Sequence, residues 1–464
     1  MARLRIVIVG GGPGGYEAAL VAADAGADVT LVSREGLGGN SVLWDCVPSK
    51  ALVVSAEAMG WLQSAHRLGV RSSSEVDIAA RAAVDMAAVM DRVQGLAHDQ
   101  SADVTRKVEK AGVRVVEGVG RLVGRDAVEV EDAAGTTTVL AADVVLVATG
   151  SRPRLLSFFH PDGERVFTSR ELFGLRALPE RLVVVGSGAT GAEYAHAFAR
   201  FGSEVHLISS RDRVLPGEDA DAAAVVEASF ERWGTVIHRG RRAVDLQLGG
   251  DGLRVALDDG DWVEASHALF CVGMVPSSQR LGLEAAGVAL EAGGAIPVDG
   301  VSRTNVPTIY AAGDVTGRMM LASVAAMQGR NAMWHALGQA VAPLRWDAVA
   351  ACIFTDPEIA TVGVDGTDAD HLPVRTVSLT FAGNARAKMA ETTAGFVKLR
   401  AIEGSGTILG ATVVATRASE LILPLAVAVQ NRLTAAQLAH SFSIYPSMAG
   451  SVQEAARLLM GADA

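Results

Sequence analysis

Cysteine is scarce in this chain, and its few copies lie far apart. Three cysteines in 464 residues, Cys46, Cys271 and Cys352, form no Cys-x-x-Cys pair and leave one over. That excludes a disulfide framework and fits a reducing, cytoplasmic setting. Basic charge is outweighed: 41 Lys and Arg against 52 Asp and Glu give a net charge of −11, with no dense cationic run. No nucleic-acid partner is expected from such a surface. Long apolar runs are missing as well. The stretch 421–429 contains Pro424 and falls well short of the roughly 18 residues of a span, so no membrane span is expected. The amino-terminal run Arg5-Ile6-Val7-Ile8-Val9 passes straight into glycines, which reads as a first strand and not as a signal peptide. No metal site is expected.

What is present describes a folded protein. Half the residues are apolar, 20% are charged and the mean hydropathy is +0.28, the composition of a globular chain with room for about three domains. Glycine is the informative excess, at 50 residues, and many glycines follow short Val/Ile/Leu runs, where a buried parallel strand turns into a helix. The run 5–9 leads into Gly10-Gly11-Gly12-Pro13-Gly14-Gly15, an Ala-rich helix to about Ala25 and a strand 29–32. The run 182–185 leads into Gly186-Ser187-Gly188-Ala189-Thr190-Gly191, a helix to about Arg200 and a strand 205–208. Each is a βαβ start with G-x-G-x-x-G spacing, which places a helix N-terminus and backbone N–H groups against a pyrophosphate. Two dinucleotides are expected. Residues 80–112 carry a helical pattern, strands follow at 113–117 and 144–148, and after Trp346 the text becomes strands (396–400, 407–414) and then helices (418–430, 435–440). The fold class is α/β, with two Rossmann-like dinucleotide-binding domains and a C-terminal α+β domain.

At 38–50 the chain reads Gly-Gly-Asn-Ser-Val-Leu-Trp-Asp-Cys-Val-Pro-Ser-Lys, and here it resembles the flavoprotein disulfide reductases, the family of dihydrolipoamide dehydrogenase and glutathione reductase. The resemblance extends through Ala148-Thr149-Gly150-Ser151-x-Pro153, Gly273-x-x-Pro276, Thr304 to Asp314 and Phe354-Thr355-Asp356-Pro357-Glu358-Ile359. It implies FAD on the first fold, NADP(H) or NAD(H) on the second, and a homodimer made by the third. The implied divisions are 1–155 and 276–345 for the FAD-binding domain, 156–275 for the NAD(P)-binding domain and 346–464 for dimerisation.

Matching position by position, the resemblance puts FAD pyrophosphate on Gly10, Gly12, Pro13, Gly14 and Gly15, with Gly39, Asn40 and Ser41 beside it. Adenine falls near Gly120, ribitol on Gly313-Asp314, and flavin on Lys50, Thr149, Gly150 and the helix start Leu321-Ala322-Ser323. The ribose carboxylate position is Ser33, where Glu35 or a water would substitute. In the second fold the matching residues are Gly186, Gly188, Ala189, Gly191 and Glu193, then Ser209, Ser210 and Arg211 after the second strand, with Gly273 at the return. Serines and a cation where NADH-preferring members have Glu favour NADPH, while Gly191, where many NADP folds have Ala, points the other way.

The departures decide the chemistry. The first redox cysteine of the family is Ser41 here, and the second remains as Cys46, so no dithiol can store electrons. The family's His-Pro-Thr-x-x-Glu acid–base segment reads Tyr445-Pro446-Ser447-Met448-Ala449-Gly450, and tyrosine titrates near pH 10. Cys46 has two readings, a thiolate that tunes the flavin or a small packing residue; Cys271 and Cys352 read as packing. Glu193 is either the partner of Lys50 near flavin N5 or an ordinary helix-face glutamate. The expected catalytic set is Lys50, Glu193 and Cys46, with Tyr445 of the other subunit bounding the acceptor pocket.

The expected function is an FAD-dependent NAD(P)H oxidoreductase that passes electrons directly to a quinone. This is similar to the actinobacterial dihydrolipoamide dehydrogenase-like quinone reductases. The alternatives are a soluble pyridine nucleotide transhydrogenase and a redox-inactive flavoprotein acting as a binding subunit.

Overall fold

The two glycine fingerprints fold into two copies of one design. The computed structural model describes residues 3–71, 82–364 and 373–461. In the first unit the strands Arg5–Val9 and Asp28–Ser33 pair in parallel around α1 (Pro13–Asp24). The chain then runs through a short α2 (Gly39–Leu43), α3 (Cys46–Ser64) and α4 (Met86–Lys110) to the strand Arg114–Glu117. The expected helix over 80–112 therefore starts later, at Met86, where Asp85 caps the first turn; residues 80 and 81 lie outside the described ones. Ile6, Ile8, Leu31 and Leu146 are fully buried in this sheet, as an unbroken Val/Ile/Leu run demands when both faces are covered.

The second unit repeats this. Arg181–Val185 and Glu204–Ser209 pair in parallel around α5 (Ala189–Phe201), and α6 (Ala220–Arg232) leads to Val236–Arg239. Each parallel sheet has five strands and carries a three-stranded antiparallel meander, 119–141 in the first unit and 243–265 in the second. The chain crosses between the units on two short strands, Ser151–Pro153 and Met274–Pro276, which pair with each other. It then returns to the first sheet as Ile309–Ala311 beside Val144–Val147, followed by α7 (Ala322–Ala336). A Cβ on Gly329 of α7 would stand 2.1 Å from the Gly14 carbonyl oxygen of α1, so these two helices cross backbone to backbone.

From Ala350 the chain builds an antiparallel five-stranded sheet covered by short helices. The single helix expected over 418–430 is two, Ala418–Leu421 and Leu423–Gln430, because Pro424 in the first turn of the second has no N–H to continue the first. No described helix is long and apolar enough to cross a membrane.

This third sheet is locked to the second unit by charge. Lys398 Nζ lies 2.7 Å from Asp219 Oδ1 and 2.6 Å from Asp221 Oδ2, and Arg400 Nη2 lies 2.7 Å from Asp219 Oδ2. The Asp219 side chain is only 10% exposed and also caps α6, accepting from the Asp221 and Ala222 amides. Asp219→Ala strands Arg400, leaves Lys398 only the exposed Asp221 and uncaps a helix, so it should cost about 3 kcal/mol. The urea midpoint followed by tryptophan fluorescence should fall accordingly, whereas Lys398→Met, which leaves Asp219 its Arg400 partner, should cost clearly less.

Candidate active site

The two glycine turns are superimposable in their constraints. Gly10 and Gly186 sit at φ +115° and +110°, where a Cβ would meet the Ala148 or Cys271 carbonyl oxygen at 2.2 or 2.3 Å. Glycine is required at both. A Cβ on Gly15 would lie 1.8 Å from the Gly10 oxygen, and one on Gly191 would lie 1.8 Å from the Gly186 oxygen. Gly191 is therefore dictated by helix–strand packing, and its identity carries no information about NADPH against NADH. Helices α1, α5 and α7 begin without a side-chain cap, at Gly12, Gly188 and Leu321. By contrast α4 and α6 are capped by Asp85 and Asp219. Three helix N-termini at the open edges of the sheets thus keep unmet N–H donors and a positive dipole end for anionic or carbonyl groups.

Between these helix ends the three sheets meet at one carboxylate. Glu193 on α5 is 3% exposed. Its Oε2 accepts from Lys50 Nζ on α3 at 2.8 Å, and its Oε1 accepts from the Phe354 amide at 2.9 Å. Lys50 Nζ also stands 4.9 Å from the Phe354 ring centroid. Burial opposes the Lys50 charge, yet Glu193 more than compensates and raises its pKa. Asp314, after the strand Ile309–Ala311, accepts from Ser151 Oγ at 2.6 Å, and burial raises its pKa. Asn40 Nδ2 donates to the Ser151 carbonyl at 2.6 Å, Thr149 Oγ1 to the Ser277 carbonyl at 2.8 Å, and the Gly313 amide to Gln328. Lys50, Cys46, Glu193 and Asp314 thus form one electrostatic group.

Residues 4–329 match the pyridine nucleotide-disulphide oxidoreductase family, and residues 349–456 match its dimerisation domain. The chain belongs to the pyridine nucleotide-disulphide oxidoreductase family. A protein of Mycobacterium tuberculosis named NAD(P)H dehydrogenase (quinone) is 48% identical over 99% of this chain and 94% of its own length. A dihydrolipoyl dehydrogenase of Haloferax volcanii is 36% identical over 98% of this chain and 96% of its own. The crystal structure of LpdA from Mycobacterium tuberculosis superposes with a TM-score of 0.94 at 48% identity, covering 99% of this chain and 100% of that one. Family membership implies FAD and a nicotinamide dinucleotide, and the paired uncapped glycine turns fit both.

Several expected positions are already engaged within this pyridine nucleotide-disulphide oxidoreductase. Ser209 is fully buried, and its hydroxyl is taken up by Ser187 Oγ and the Arg211 and Arg213 carbonyls. The exposed groups at that turn are Ser210, Arg211 and Asp212. Ser33 donates to the Gly36 carbonyl. Glu35 is engaged by Arg34, Arg170 at 2.5 Å and the Trp44 indole N–H at 3.0 Å, which leaves a ribose to compete with two guanidinium groups. Gly120 is buried over Val9 and Val32. Tyr445 is 86% exposed, on a segment with Phe442 and Ile444 also bare, and does not join its own chain's cluster. A cavity of about 660 Å³ between α4 and the Trp44 loop, lined by Glu35, Trp44, Pro48 and Phe173 among others, includes none of Cys46, Lys50, Glu193 and Asp314.

Sequence reasoning overlooked Asp45, Phe354 and Ser151 as site residues, although all three fall within the quoted motifs. Cys271 and Cys352 pack against the cores of the second unit and the third sheet. Cys46 is a free thiol, pushed up to about 11 by burial and by the carboxylate of Asp45. Burial and Asp45 thus favour the protonated thiol over the thiolate. Iodoacetamide labelling of Cys46 should rise about tenfold per pH unit through the alkaline range towards pH 11. An inflection near pH 7 would show a thiolate instead.

Proposed function

We propose that this chain is a homodimeric, cytoplasmic FAD enzyme that oxidises NAD(P)H and passes the electrons directly to a quinone. The observation that carries the reading is the Lys50–Glu193 pair, held at 2.8 Å in a buried site beside a thiol that has lost its partner to Ser41. The 48% identity to a protein named NAD(P)H dehydrogenase (quinone) supports it. FAD bound across the first unit would supply the ring that takes a hydride from the nicotinamide and releases two electrons to an acceptor.

The residues that would hold it follow from the geometry. The Gly10–Gly15 turn and the N-terminus of α1 receive the pyrophosphate, Asp314 accepts from sugar hydroxyls, and the N-terminus of α7 with Thr149 and Lys50 borders the ring. Lys50, fixed by Glu193, offers a cation where negative charge develops. The Gly186–Gly191 turn receives the nicotinamide dinucleotide, with the exposed Ser210 and Arg211 facing its ribose. The bare segment Phe442, Ile444 and Tyr445 of the partner copy supplies an apolar wall suited to a quinone.

Quinone turnover with NAD(P)H, without turnover of lipoamide or glutathione disulfide, is the expected result. Robust lipoamide reduction would overturn the reading, and hydride transfer from NADPH to an NAD analogue alone would favour a transhydrogenase. Ser41→Cys should form a disulfide with Cys46 yet remain a poor disulfide reductase. The leaving thiol still lacks the acid of the family's His-Pro-Thr-x-x-Glu segment, a general acid being worth about 10² to 10⁴ in rate, and Tyr445→His with Gly450→Glu should recover part of it.

NADPH is the preferred donor in this reading because Arg211 is exposed and, among the described residues, its side chain makes no ion pair, although the exposed Asp212 beside it opposes a 2'-phosphate. Arg211→Glu should lower the NADPH to NADH ratio of kcat/KM about tenfold or more, the value of one charge-assisted contact. An unchanged ratio would remove Arg211 from the nucleotide site.

A further inference from the structure

Asp45 is a carboxylate of the cluster that nothing holds. It stands at the N-cap of α3, immediately before Cys46, but makes no capping bond. Among the described residues no side-chain hydrogen bond or ion pair engages it. Glu193 is bonded at both oxygens, and Asp314 accepts from Ser151. The groups that face Asp45 are Cys46 and Lys50 on its own helix, Glu193 and Tyr194 on α5, Asp314 after the returning strand, and Cys271 after the strand His267–Phe270. On its other side is a cavity of about 10 Å³ lined with Asn40, Ser169, Arg170 and Met274, roughly the room one water needs.

Quinone reduction consumes a proton. NAD(P)H plus quinone plus one proton gives NAD(P)⁺ plus quinol: the hydride carries both electrons and one hydrogen, and the second hydrogen arrives as a proton. The acid–base segment that serves thiol exchange in the family this chain resembles is replaced by Tyr445-Pro446-Ser447-Met448-Ala449-Gly450. Lys50 is committed to Glu193, and Cys46 is too weak an acid.

We propose that Asp45 is the proton donor in acceptor reduction, its O–H bond breaking as an O–H bond forms on the quinol. The carboxylate left behind faces Lys50 and takes a proton back from solvent through the small cavity beside Arg170. This role rests on the quinone reading above. Burial and the neighbouring carboxylates Glu193 and Asp314 raise the Asp45 carboxyl to about 6 against the opposing pull of Lys50, which suits an acid working near neutrality.

The test compares two acceptors, a soluble quinone and ferricyanide, which takes electrons and no proton. In the FAD-loaded protein near pH 7, Asp45→Asn should lower quinone turnover about 10²-fold and leave ferricyanide turnover within about twofold, with Asp45→Glu restoring much of the loss. Quinone turnover by the unmodified protein should fall as pH rises through about 6, and this limb should vanish in Asp45→Asn. A readout independent of turnover is the Cys46 labelling inflection, which should move down when the adjacent carboxylate is neutralised.

An unchanged quinone to ferricyanide ratio in Asp45→Asn would overturn the role of Asp45 and leave the quinone reading intact. An unmodified protein that reduces ferricyanide but no quinone would overturn both. Should Asp45→Asn fail to retain flavin, a flat quinone pH profile in the unmodified protein overturns the proposal.

Discussion

The Glu193 carboxylate is the contact on which the rest of this molecule turns. A buried carboxylate is costly unless every strong acceptor site finds a donor. Glu193 meets that demand with one donor from each of the other two domains, Lys50 Nζ and the Phe354 amide. The same bonds that satisfy it therefore set the angle between α3, α5 and the strand Ala350–Ile353. Lys50 is placed as a consequence: its side chain is 28% exposed yet unable to swing away while Glu193 holds its ammonium. A helix-face glutamate would tolerate substitution within a few tenths of a kcal/mol; this one, if removed, leaves an unpaired Lys50 and an orphan amide.

Around that contact the two nucleotide units are built to one template, for steric reasons. In each, the first glycine must adopt a left-handed φ beneath a neighbouring strand's carbonyl, and the third must bring the helix within 1.8 Å of where a Cβ would strike backbone. The middle glycines, Gly12 and Gly188, have no such obstruction: a Cβ on Gly12 would meet nothing closer than 3.9 Å, and one on Gly188 nothing within 4 Å. Their bareness is explained by space kept for a ligand. The two kinds of glycine look identical in the sequence, and only the packing separates structural necessity from ligand clearance.

That difference marks what was legible in the residues. Strands of consecutive Val, Ile and Leu followed by glycine spacing announce both parallel sheets, and 346 onwards reads as a separate α+β layer. The short antiparallel meanders went unread because their alternation, as in Leu253–Leu257, is short and one-faced, and the helix break at Pro424 was masked by strong apolar content on both sides. In the site, the grouping of Lys50, Glu193 and Asp314 is legible because each is a charged residue inside a motif. The burial of Ser209 is not, since a hydroxyl can satisfy itself on its own loop carbonyls. Asp45 was missed because an aspartate before a helix reads as a cap, and only the geometry reveals that it caps nothing.

The pattern of what this chain keeps and what it lacks has a physical basis. Each residue that distinguishes it from a disulfide-exchanging enzyme sits where substitution is mechanically free. Ser41 bonds its hydroxyl to the Gly38 carbonyl inside the same short helix. Tyr445 is 86% exposed, and beside Gly450 an added Cβ would meet nothing closer than 3.9 Å. Changes at such positions cost little stability. The first and third glycines of each turn and the Lys50–Glu193 pair are instead pinned by backbone collisions or by paired buried charges, where substitution costs kilocalories. The thiol-exchange residues can therefore be lost from this architecture without disturbing either glycine turn. The reverse order, loss of the nucleotide cradle with thiol chemistry intact, would have to pass through a destabilised fold.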